Sequence, residues 1–318
     1  MKIFGRSETA SLLERCDLVA ALEATYQAGV LSPERLRADI PTHRGEDETT
    51  LLVSPAWVAG EGIGVKIVTV MPGNARRGLL SVSGTYLYLD GNTGQPLAQF
   101  DGAVLTSMRT AAMSALASRS LSRTDSHRHL VIGAGALAPD FIRAHRRVRP
   151  IETTLLWARR HGEAAQLAED MRESGVAVEA VEDLEAAVRG ADIVSCVTSA
   201  REPVLQGAWL KPGMHLDLVG SYRTDMREAD DEAIRRSALY VDSRKAALEE
   251  SGELADPVAR GIIAEADIRG DLAGLVAGRI TGRRDEREIT LFKSVGNGLA
   301  DFAAARAAWT VYRESRLA

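Results

Sequence analysis

A glycine-rich turn is the stretch of this sequence whose residues and spacing most clearly suggest chemistry. Residues 129–141 read HLVIGAGALAPDF, in which an apolar run meets small residues and then a helix-compatible segment. In this G-x-G-x-x-A pattern the first glycine permits a tight turn, the second lets backbone N–H groups approach an anion, and the alanine lets the helix lie close to the strand. The positive N-terminal end of the helix then faces that anion. The pattern predicts a dinucleotide pyrophosphate site, with a glycine-rich turn that binds nothing as the alternative. The turn residues assigned to the cofactor are Gly133, Ala134, Gly135, Ala136 and Leu137.

Two arginines follow the second strand of the same region and bear on the choice of cofactor. The strand predicted at 153–157 is followed by Arg159 and Arg160. An NAD-selective site usually has an acidic residue near here for the ribose 2′-hydroxyl, whereas a 2′-phosphate calls for arginine. We therefore expect NADP(H), with NAD(H) as the alternative. Thr198 closes the fourth predicted strand, where its hydroxyl and main chain are expected to face the nicotinamide half.

Two cations stand in segments where a charge is unexpected. Alternation in GVKIVTV places Lys66 on the strand face opposite Val65 and Ile67. Arg109 and Thr110 fall in the first turn of an alanine-rich helix predicted over 105–118, where a cation opposes the helix dipole. A substrate carboxylate or a cofactor phosphate would offset that charge. The alternatives are an exposed strand lysine and a solvated arginine at a helix start.

Alternating strands and helices between residues 128 and 241 would position these groups. Strands are predicted at 129–132, 153–157, 177–181, 192–197, 215–219 and 239–242, and helices at 137–147, 162–174, 183–189 and 228–236. This order describes a doubly wound parallel sheet, which binds ligands at the carboxyl ends of its strands.

The residues before this region have a different pattern. An amphipathic helix is predicted over 11–28, strands at 50–55, 64–70, 85–89 and 97–100, and a hairpin turn at 90–94. A loop at 291–298 precedes a helical tail over 299–314, which suggests that the chain returns to its first part. We predict an α/β protein with a doubly wound Rossmann domain over 121–296. A discontinuous α+β lobe for substrate binding and dimerisation is predicted over 1–120 and 297–318.

Composition excludes several classes of function. The chain has 318 residues and a net charge of −5 with dispersed basic residues, which argues against a nucleic-acid partner. No apolar run reaches the roughly 20 residues of a membrane span, and no signal sequence is evident, so we expect a cytoplasmic protein without a membrane partner. The two cysteines, Cys16 and Cys196, are expected to be buried thiols, and the six histidines show no spacing typical of a metal site.

Seven ordered segments of the chain resemble the ornithine cyclodeaminase/mu-crystallin family. They are GVKIVTVMPGN (64–74), LTSMRTAAMSALASR (105–119), VIGAGALA (131–138), ADIVSCVT (191–198), GSYRTDMREADDE (220–232), YVDSRKAALEESGEL (240–254) and LFKSVGNGLAD (291–301). The resemblance implies a homodimer with a Rossmann domain and a discontinuous second lobe. It also implies that Arg44, Lys66 and Arg109 bind the carboxylate of a small substrate. Cofactor contacts are implied for Ser81, Thr110, Ala136, Leu137, Arg159 and Thr198.

One loop distinguishes among members of this family. Deaminating cyclases resemble one another in a G-G-D-x-P-G loop, but this chain has Gly220, Ser221 and Tyr222, with no acid in third place. The loop resembles instead the G-x-x-x-x-D-x-R-E form of ketimine reductases and Δ1-pyrroline-2-carboxylate reductases.

We therefore predict NADPH-dependent reduction of Δ1-pyrroline-2-carboxylate or Δ1-piperideine-2-carboxylate to the L-amino acid. Lys66 is the candidate proton donor, ahead of Glu250. The alternatives are an ornithine cyclodeaminase or alanine dehydrogenase, and an NADPH-gated ligand-binding protein of the mu-crystallin type.

Overall fold

Two units make up the chain. The computed structural model describes residues 1–28, 30, 32–41 and 49–316. Unit 1 comprises Met1–Thr110 and Asn297–Ala318, and unit 2 comprises Ala111–Gly296. The division between the units follows Thr110, inside helix α3 (Gly102–Leu121). The boundary predicted from the sequence, at 120/121, lies later, at the end of that helix.

The N-terminal helical region of unit 1 is two helices, so the prediction of one helix over 11–28 was wrong. Helix α1 spans Arg6–Glu14 and α2 spans Leu18–Gln27. Between them, the Asp17 carboxylate accepts a hydrogen bond from the Ala20 backbone N–H at 3.0 Å. An aspartate at this position satisfies an N–H group that a helix start leaves unpaired, and it begins a new helix. Cys16 lies in the break and is buried.

A six-stranded sheet forms the rest of unit 1, together with the C-terminal helix α11 (Gly298–Glu314). Its strands are β1 (Lys2–Phe4), β2 (Leu36–Ile40), β3 (Thr49–Val58), β4 (Gly62–Val70), β5 (Val82–Asp90) and β6 (Pro96–Asp101), in the order β1-β6-β5-β4-β3-β2. The predicted strands and the hairpin between β5 and β6 are confirmed. All pairs are antiparallel except β1 with β6.

Helix α3 begins earlier than its predicted start, which changes the interpretation of Arg109. Because α3 starts at Gly102, Arg109 lies two turns into it, and the prediction that Arg109 and Thr110 occupy the first turn was wrong. The Asp101 carboxylate accepts from the N–H groups of Ala103 and Val104 and so fixes the true start. The helix dipole therefore gives no reason for an anion beside Arg109.

Unit 2 is an eight-stranded, all-parallel sheet with helices between its strands. The strands are β7 (Arg128–Ile132), β8 (Thr153–Trp157), β9 (Glu179–Ala180), β10 (Ile193–Cys196), β11 (His215–Leu218), β12 (Ala238–Val241), β13 (Ile268–Asp271) and β14 (Thr290–Lys293), in the order β13-β12-β14-β11-β10-β7-β8-β9. The helices are α4 (Ala138–Val148), α5 (His161–Glu173), α6 (Leu184–Gly190), α7 (Asp231–Arg236), α8 (Arg244–Glu249), α9 (Gly252–Ala259) and α10 (Leu272–Val276). The predicted α/β, doubly wound class is confirmed.

Two features of this sheet differ from the sequence-based expectation. Strands β13 and β14 were not predicted, and residues 290–293, assigned in part to a loop, pair with both β11 and β12 in the middle of the sheet. Helix α7 begins at Asp231, three residues later than predicted, because the Asp230 carboxylate caps it. A cluster of buried apolar side chains packs against the sheet, and Cys196 is a free, buried thiol within it.

Neither a membrane span nor a metal cluster is found in the described ranges. None of the helices there combines the length and hydropathy that crossing a bilayer requires. No group of three histidine, cysteine, aspartate or glutamate side chains in these ranges is placed to hold a metal ion.

Candidate functional site

Three charged side chains meet inside unit 1. Lys66 lies in β4, Arg109 in α3 and Asp301 in α11. The Lys66 Nζ is 2.7 Å from one Asp301 carboxylate oxygen, and the Arg109 Nε donates to the other at 2.8 Å. The Asp301 side chain is fully buried, and those of Lys66 and Arg109 are 12% and 5% exposed. The alternatives of an exposed strand lysine and a solvated arginine are therefore wrong.

Glycines and tyrosines shape the sheet face around Lys66. Tyr86 of β5 pairs with Lys66 across the strands, and its ring lies over Gly64, where an added Cβ would come within 1.8 Å of the phenol oxygen. Tyr88 lies over Gly62 in the same way. Burial, and next the charge of Asp301, raises the pKa of Tyr86 well above its usual value, so the phenol stays neutral. The cations thus lie beside an aromatic, uncharged surface.

The cluster carries one positive charge more than it neutralises. Two cations share the single Asp301 carboxylate, and the buried Arg109 Nη1 has no hydrogen-bond partner among the described residues. Burial lowers the pKa of Lys66 to about 8, while Asp301 opposes that shift and Arg109 adds to it. A buried guanidinium nitrogen without a partner is costly, and a carboxylate ligand would both satisfy it and balance the charge.

Asp301 is not among the site residues predicted from the sequence, although the sequence contains a signal for it. An acid in the first turn of a helix usually interacts with the helix dipole, which gives it an ordinary explanation. However, Asp301, Ala304, Ala305 and Ala308 share one face of α11, and all four are fully buried. An acid on the small-residue face of a buried helix indicates a partner cation.

The glycine turn of unit 2 has the form that a dinucleotide requires. Gly133 follows β7 with φ +114°, and a Cβ there would lie 2.9 Å from the Val197 carbonyl oxygen, so only glycine fits without strain. Gly135 is exposed, and a Cβ on it would meet nothing within 4 Å. Ala138 is fully buried at the start of α4. Open space over Gly135, beside a helix N-terminus, suits a pyrophosphate. Residues 133–137 therefore fit a dinucleotide pyrophosphate.

The two arginines after β8 have different surroundings. The Gly133 N–H donates to the Trp157 carbonyl at 2.8 Å, so the turn and the end of β8 are adjacent. Arg159 is exposed and forms no ion pair among the described residues. Arg160 is also exposed, but its guanidinium pairs with Glu163 in the first turn of α5. Of the two, only Arg160 is paired with a carboxylate among the described residues.

The other predicted residues lie in different surroundings. Thr198 lies beside Gly133, since its Cγ2 would be 3.3 Å from a Cβ there. Thr110 is buried and its hydroxyl donates to the Thr106 carbonyl at 2.6 Å, which leaves it only an acceptor role. Ser81 is half-buried before β5, and its carbonyl accepts from Met71 N–H. Arg44 lies outside the described residues.

The loop after β11 contains no acid at its third place. Ser221 is buried and donates to the Met226 carbonyl at 2.7 Å, whereas Tyr222 is 52% exposed. Asp225 pairs with Arg223 on the surface, and Arg227 bonds to Asp231 and Asp256, so these charged residues hold the loop together. 

The comparisons with known proteins cover nearly the whole chain. The family model described as "Ornithine cyclodeaminase/mu-crystallin family" matches residues 7–316. The chain belongs to the ornithine cyclodeaminase/mu-crystallin family. A member of this family from Paracoccus denitrificans, Δ1-pyrroline-2-carboxylate reductase, is 42% identical over 286 residues, covering 90% of each chain.

Solved structures agree with this membership. Δ1-pyrroline-2-carboxylate reductase of Thermococcus litoralis, in complex with NADH and L-proline, matches with a TM-score of 0.91 and 34% identity over 99% of this chain and 98% of that one. An archaeal alanine dehydrogenase dimer with bound NAD matches with a TM-score of 0.88 and 26% identity, over 99% and 97%. The predicted family and Rossmann fold are confirmed. The predicted class of enzyme, an NAD(P)H-dependent oxidoreductase, is confirmed as well.

Proposed function

We propose that this chain reduces a small cyclic imino acid to the L-amino acid, with NADPH as the preferred reductant. The substrate is Δ1-pyrroline-2-carboxylate or Δ1-piperideine-2-carboxylate. The observation that carries the proposal is the buried cluster of Lys66, Arg109 and Asp301, with its excess positive charge and its unpaired Arg109 Nη1. A monocarboxylate neutralises that charge. The relatives named Δ1-pyrroline-2-carboxylate reductase support a cyclic imino acid as the substrate.

Each residue of the cluster has a distinct part in the mechanism. Arg109 donates from Nη1 to the substrate carboxylate while its Nε stays on Asp301. Lys66, with a pKa of about 8, holds a proton at neutral pH and supplies it to the imine nitrogen. When bound, the reduced nicotinamide supplies the hydride that adds to the imine carbon. The C=N bond thereby gains one hydride and one proton, and Asp301 keeps both cations in place. We also propose that Arg44 contacts the substrate carboxylate.

The loop after β11 favours reduction over deamination. A cyclodeaminase of the family pattern has an aspartate at the place that Tyr222 occupies, and this side chain is exposed and uncharged. Among the described residues of the loop, the acids are committed elsewhere, Asp225 to Arg223 and Glu228 to backbone N–H groups. The loop therefore offers no carboxylate for a substrate amine.

Preference for NADPH rests on Arg159. Its exposed guanidinium lies just beyond the strand that neighbours the glycine turn, where the adenosine ribose of a Rossmann cofactor lies. Ser81, Thr110 and Thr198 are kept as further proposed cofactor contacts. The solved relatives hold NADH and NAD, so the 2′-phosphate specificity belongs to this proposal alone.

We also propose a homodimer formed through unit 1. Exposed apolar side chains lie close together in its chain: Leu79 and Leu80 just before β5, and Val82 at the start of that strand. A group of exposed apolar side chains is typical of a protein interface. Light scattering on the wild type and on Leu80→Glu tests this: a monomeric wild type would contradict it.

A cofactor and substrate panel tests the activity. With either cyclic imine, we expect the protein to oxidise NADPH faster than NADH. We expect little turnover of L-ornithine or L-alanine with NAD. Lys66→Met should abolish imine reduction, and Lys2→Met, which changes an exposed lysine, is the matched control. Ammonia release from ornithine or alanine would support the deaminating alternatives, and NADPH-dependent ligand binding without turnover would support a binding protein. Absence of NADPH and NADH oxidation with both imines would refute the proposal.

A further inference from the structure

Gly220 lets two strand ends of unit 2 approach each other closely. It follows β11, and Thr198 follows the neighbouring parallel strand β10. A Cβ on Gly220 would lie 1.9 Å from the Thr198 carbonyl oxygen and 2.5 Å from a Glu228 carboxylate oxygen. Any side chain at this position would force the two strand ends and Glu228 apart. The first and last residues of the G-x-x-x-x-D-x-R-E loop thus meet at the same point.

Glu228 ties these strand ends together with three hydrogen bonds. Its Oε1 accepts from the backbone N–H of Thr198 at 2.7 Å and from the Thr198 hydroxyl at 2.8 Å. Its Oε2 accepts from the Gly220 N–H at 2.7 Å. The residue is fully buried. Burial raises the pKa of Glu228 to about 7, but all three partners are donors, so the geometry suits a carboxylate whose two oxygens accept.

Other buried residues hold Glu228 in turn. The Glu253 carboxylate accepts from the backbone N–H groups of Glu228 and Ala229 at 2.8 and 2.9 Å. Lys293, in the strand next to β11, is fully buried and donates to the Leu218 carbonyl. Burial lowers the pKa of Lys293, and the charges of Glu253 and Glu228 oppose that shift. These contacts within the protein therefore hold Glu228 in place before any ligand is bound.

The tied segment lies directly against the glycine turn. The Val197 carbonyl and the Thr198 Cγ2 are the nearest groups to the position of a Cβ on Gly133. The carboxyl ends of β7, β10 and β11 are also the edge at which a doubly wound sheet binds its dinucleotide. Movement of Thr198 would therefore alter the wall against which the turn packs.

We propose that Glu228 is a positioning residue for the cofactor, acting through Thr198 and Gly220 without touching the cofactor itself. This inference rests on the proposed cofactor contact of Thr198, and it extends that proposal by naming the group that sets the geometry. Glu228 therefore affects the affinity for the cofactor, which is set in the binding step, before any chemical step.

Titration of wild type and variants with NADPH and NADH, followed by nicotinamide fluorescence, measures the dissociation constant. In Glu228→Gln the amide NH2 must face Thr198 or Gly220, where a donor would meet a donor. Loss of one charge-assisted hydrogen bond corresponds to about a tenfold weaker Kd. Glu185→Gln, an exposed glutamate in α6, is the matched control, and thermal unfolding of each variant shows whether it is folded.

A double-mutant cycle separates positioning from general destabilisation. Thr198→Val removes the hydroxyl bond to Glu228 but keeps the backbone one, and it is a milder change should Glu228→Gln fold poorly. We expect the increase in cofactor Kd in the double variant to be smaller than the product of the increases in the two single variants, because both substitutions act on one contact. A wild-type Kd in Glu228→Gln, or effects that multiply independently, would overturn the inference. Because binding is measured, the result holds even if the chain fails to reduce either imine.

Discussion

Replacing Asp301 by asparagine tests the centre of the proposed substrate site. Asparagine has nearly the same shape and keeps one oxygen that can accept from Arg109 Nε, but it removes the only carboxylate described between Lys66 and Arg109. Two buried cations would then face each other with no counter-ion among the residues that the structure describes. The change is therefore electrostatic and leaves the volume of the site nearly unaltered.

The expected loss of stability follows from the burial of these side chains. Removing one partner of a buried ion pair destabilises a protein by about 3–5 kcal/mol. The lower end applies because asparagine retains an acceptor and because Lys66 can release its proton. For a domain of this size class about 3 kcal/mol corresponds to a melting temperature lower by about 6–12 °C.

The pH dependence of turnover gives a second, independent magnitude. Asp301 supports the charge of Lys66, whose pKa is about 8, and its loss must lower that pKa further. If protonated Lys66 supplies the proton, kcat/KM of the wild type falls as pH rises through about 8. In Asp301→Asn the same fall begins at lower pH, by one pH unit for each 1.4 kcal/mol or so of lost interaction.

Steady-state kinetics across pH, with thermal unfolding in the same buffers, measures both effects. Asp39→Asn, which changes an exposed acid of β2, is the matched control and should resemble the wild type. An unchanged basic limb in Asp301→Asn would show that Lys66 is not the titrating proton donor. An unchanged melting temperature would show that the three charges do not form the buried cluster described above.

Five further substitutions give four more predictions. Arg109→Lys keeps a charge for Asp301 but loses the free Nη1 donor, so the KM for the imine should rise about tenfold with little change in cofactor Kd; an unchanged KM would exclude Arg109 from substrate binding. Arg159→Asp should reverse the preference toward NADH, measured as the ratio of kcat/KM values, and a surviving preference for NADPH would contradict the 2′-phosphate assignment. Gly133→Ala and Gly135→Ala should both weaken cofactor binding, but only the first should lower the melting temperature, because only Gly133 has a positive φ; equal melting temperatures would refute that distinction. Burial raises the pKa of Asp217 to about 7 from an ordinary 3.8, so the folded protein holds a proton there that the unfolded chain releases. The free energy of unfolding therefore falls as pH rises from about 4 to 7. Asp217→Asn should flatten that fall in pH-dependent unfolding, and an unaltered slope would contradict this prediction.

Much of the nucleotide-binding unit was predictable because its signals are local. The turn at Gly133 needs a residue that adopts positive φ, and the alternation of apolar runs with helical segments between 128 and 241 reflects a repeated strand–helix unit. Each of these depends on residues close together in the chain. The same holds for the hairpin between β5 and β6, whose turn is specified by its own residues.

What the sequence alone determined was the family, the Rossmann fold and the cations that a substrate would need. Only the tertiary structure decided that Asp301, 192 positions beyond Arg109, supplies the anion that holds them, and that β14 enters the middle of the sheet between β11 and β12. It also gave Glu228 its place against Thr198, 30 positions earlier. The physical reason is common to all three: local residue patterns fix backbone conformation and mark which face of an element is buried, whereas long-range packing decides which residue becomes the partner of a buried charge or of a central strand, and local patterns do not encode that choice.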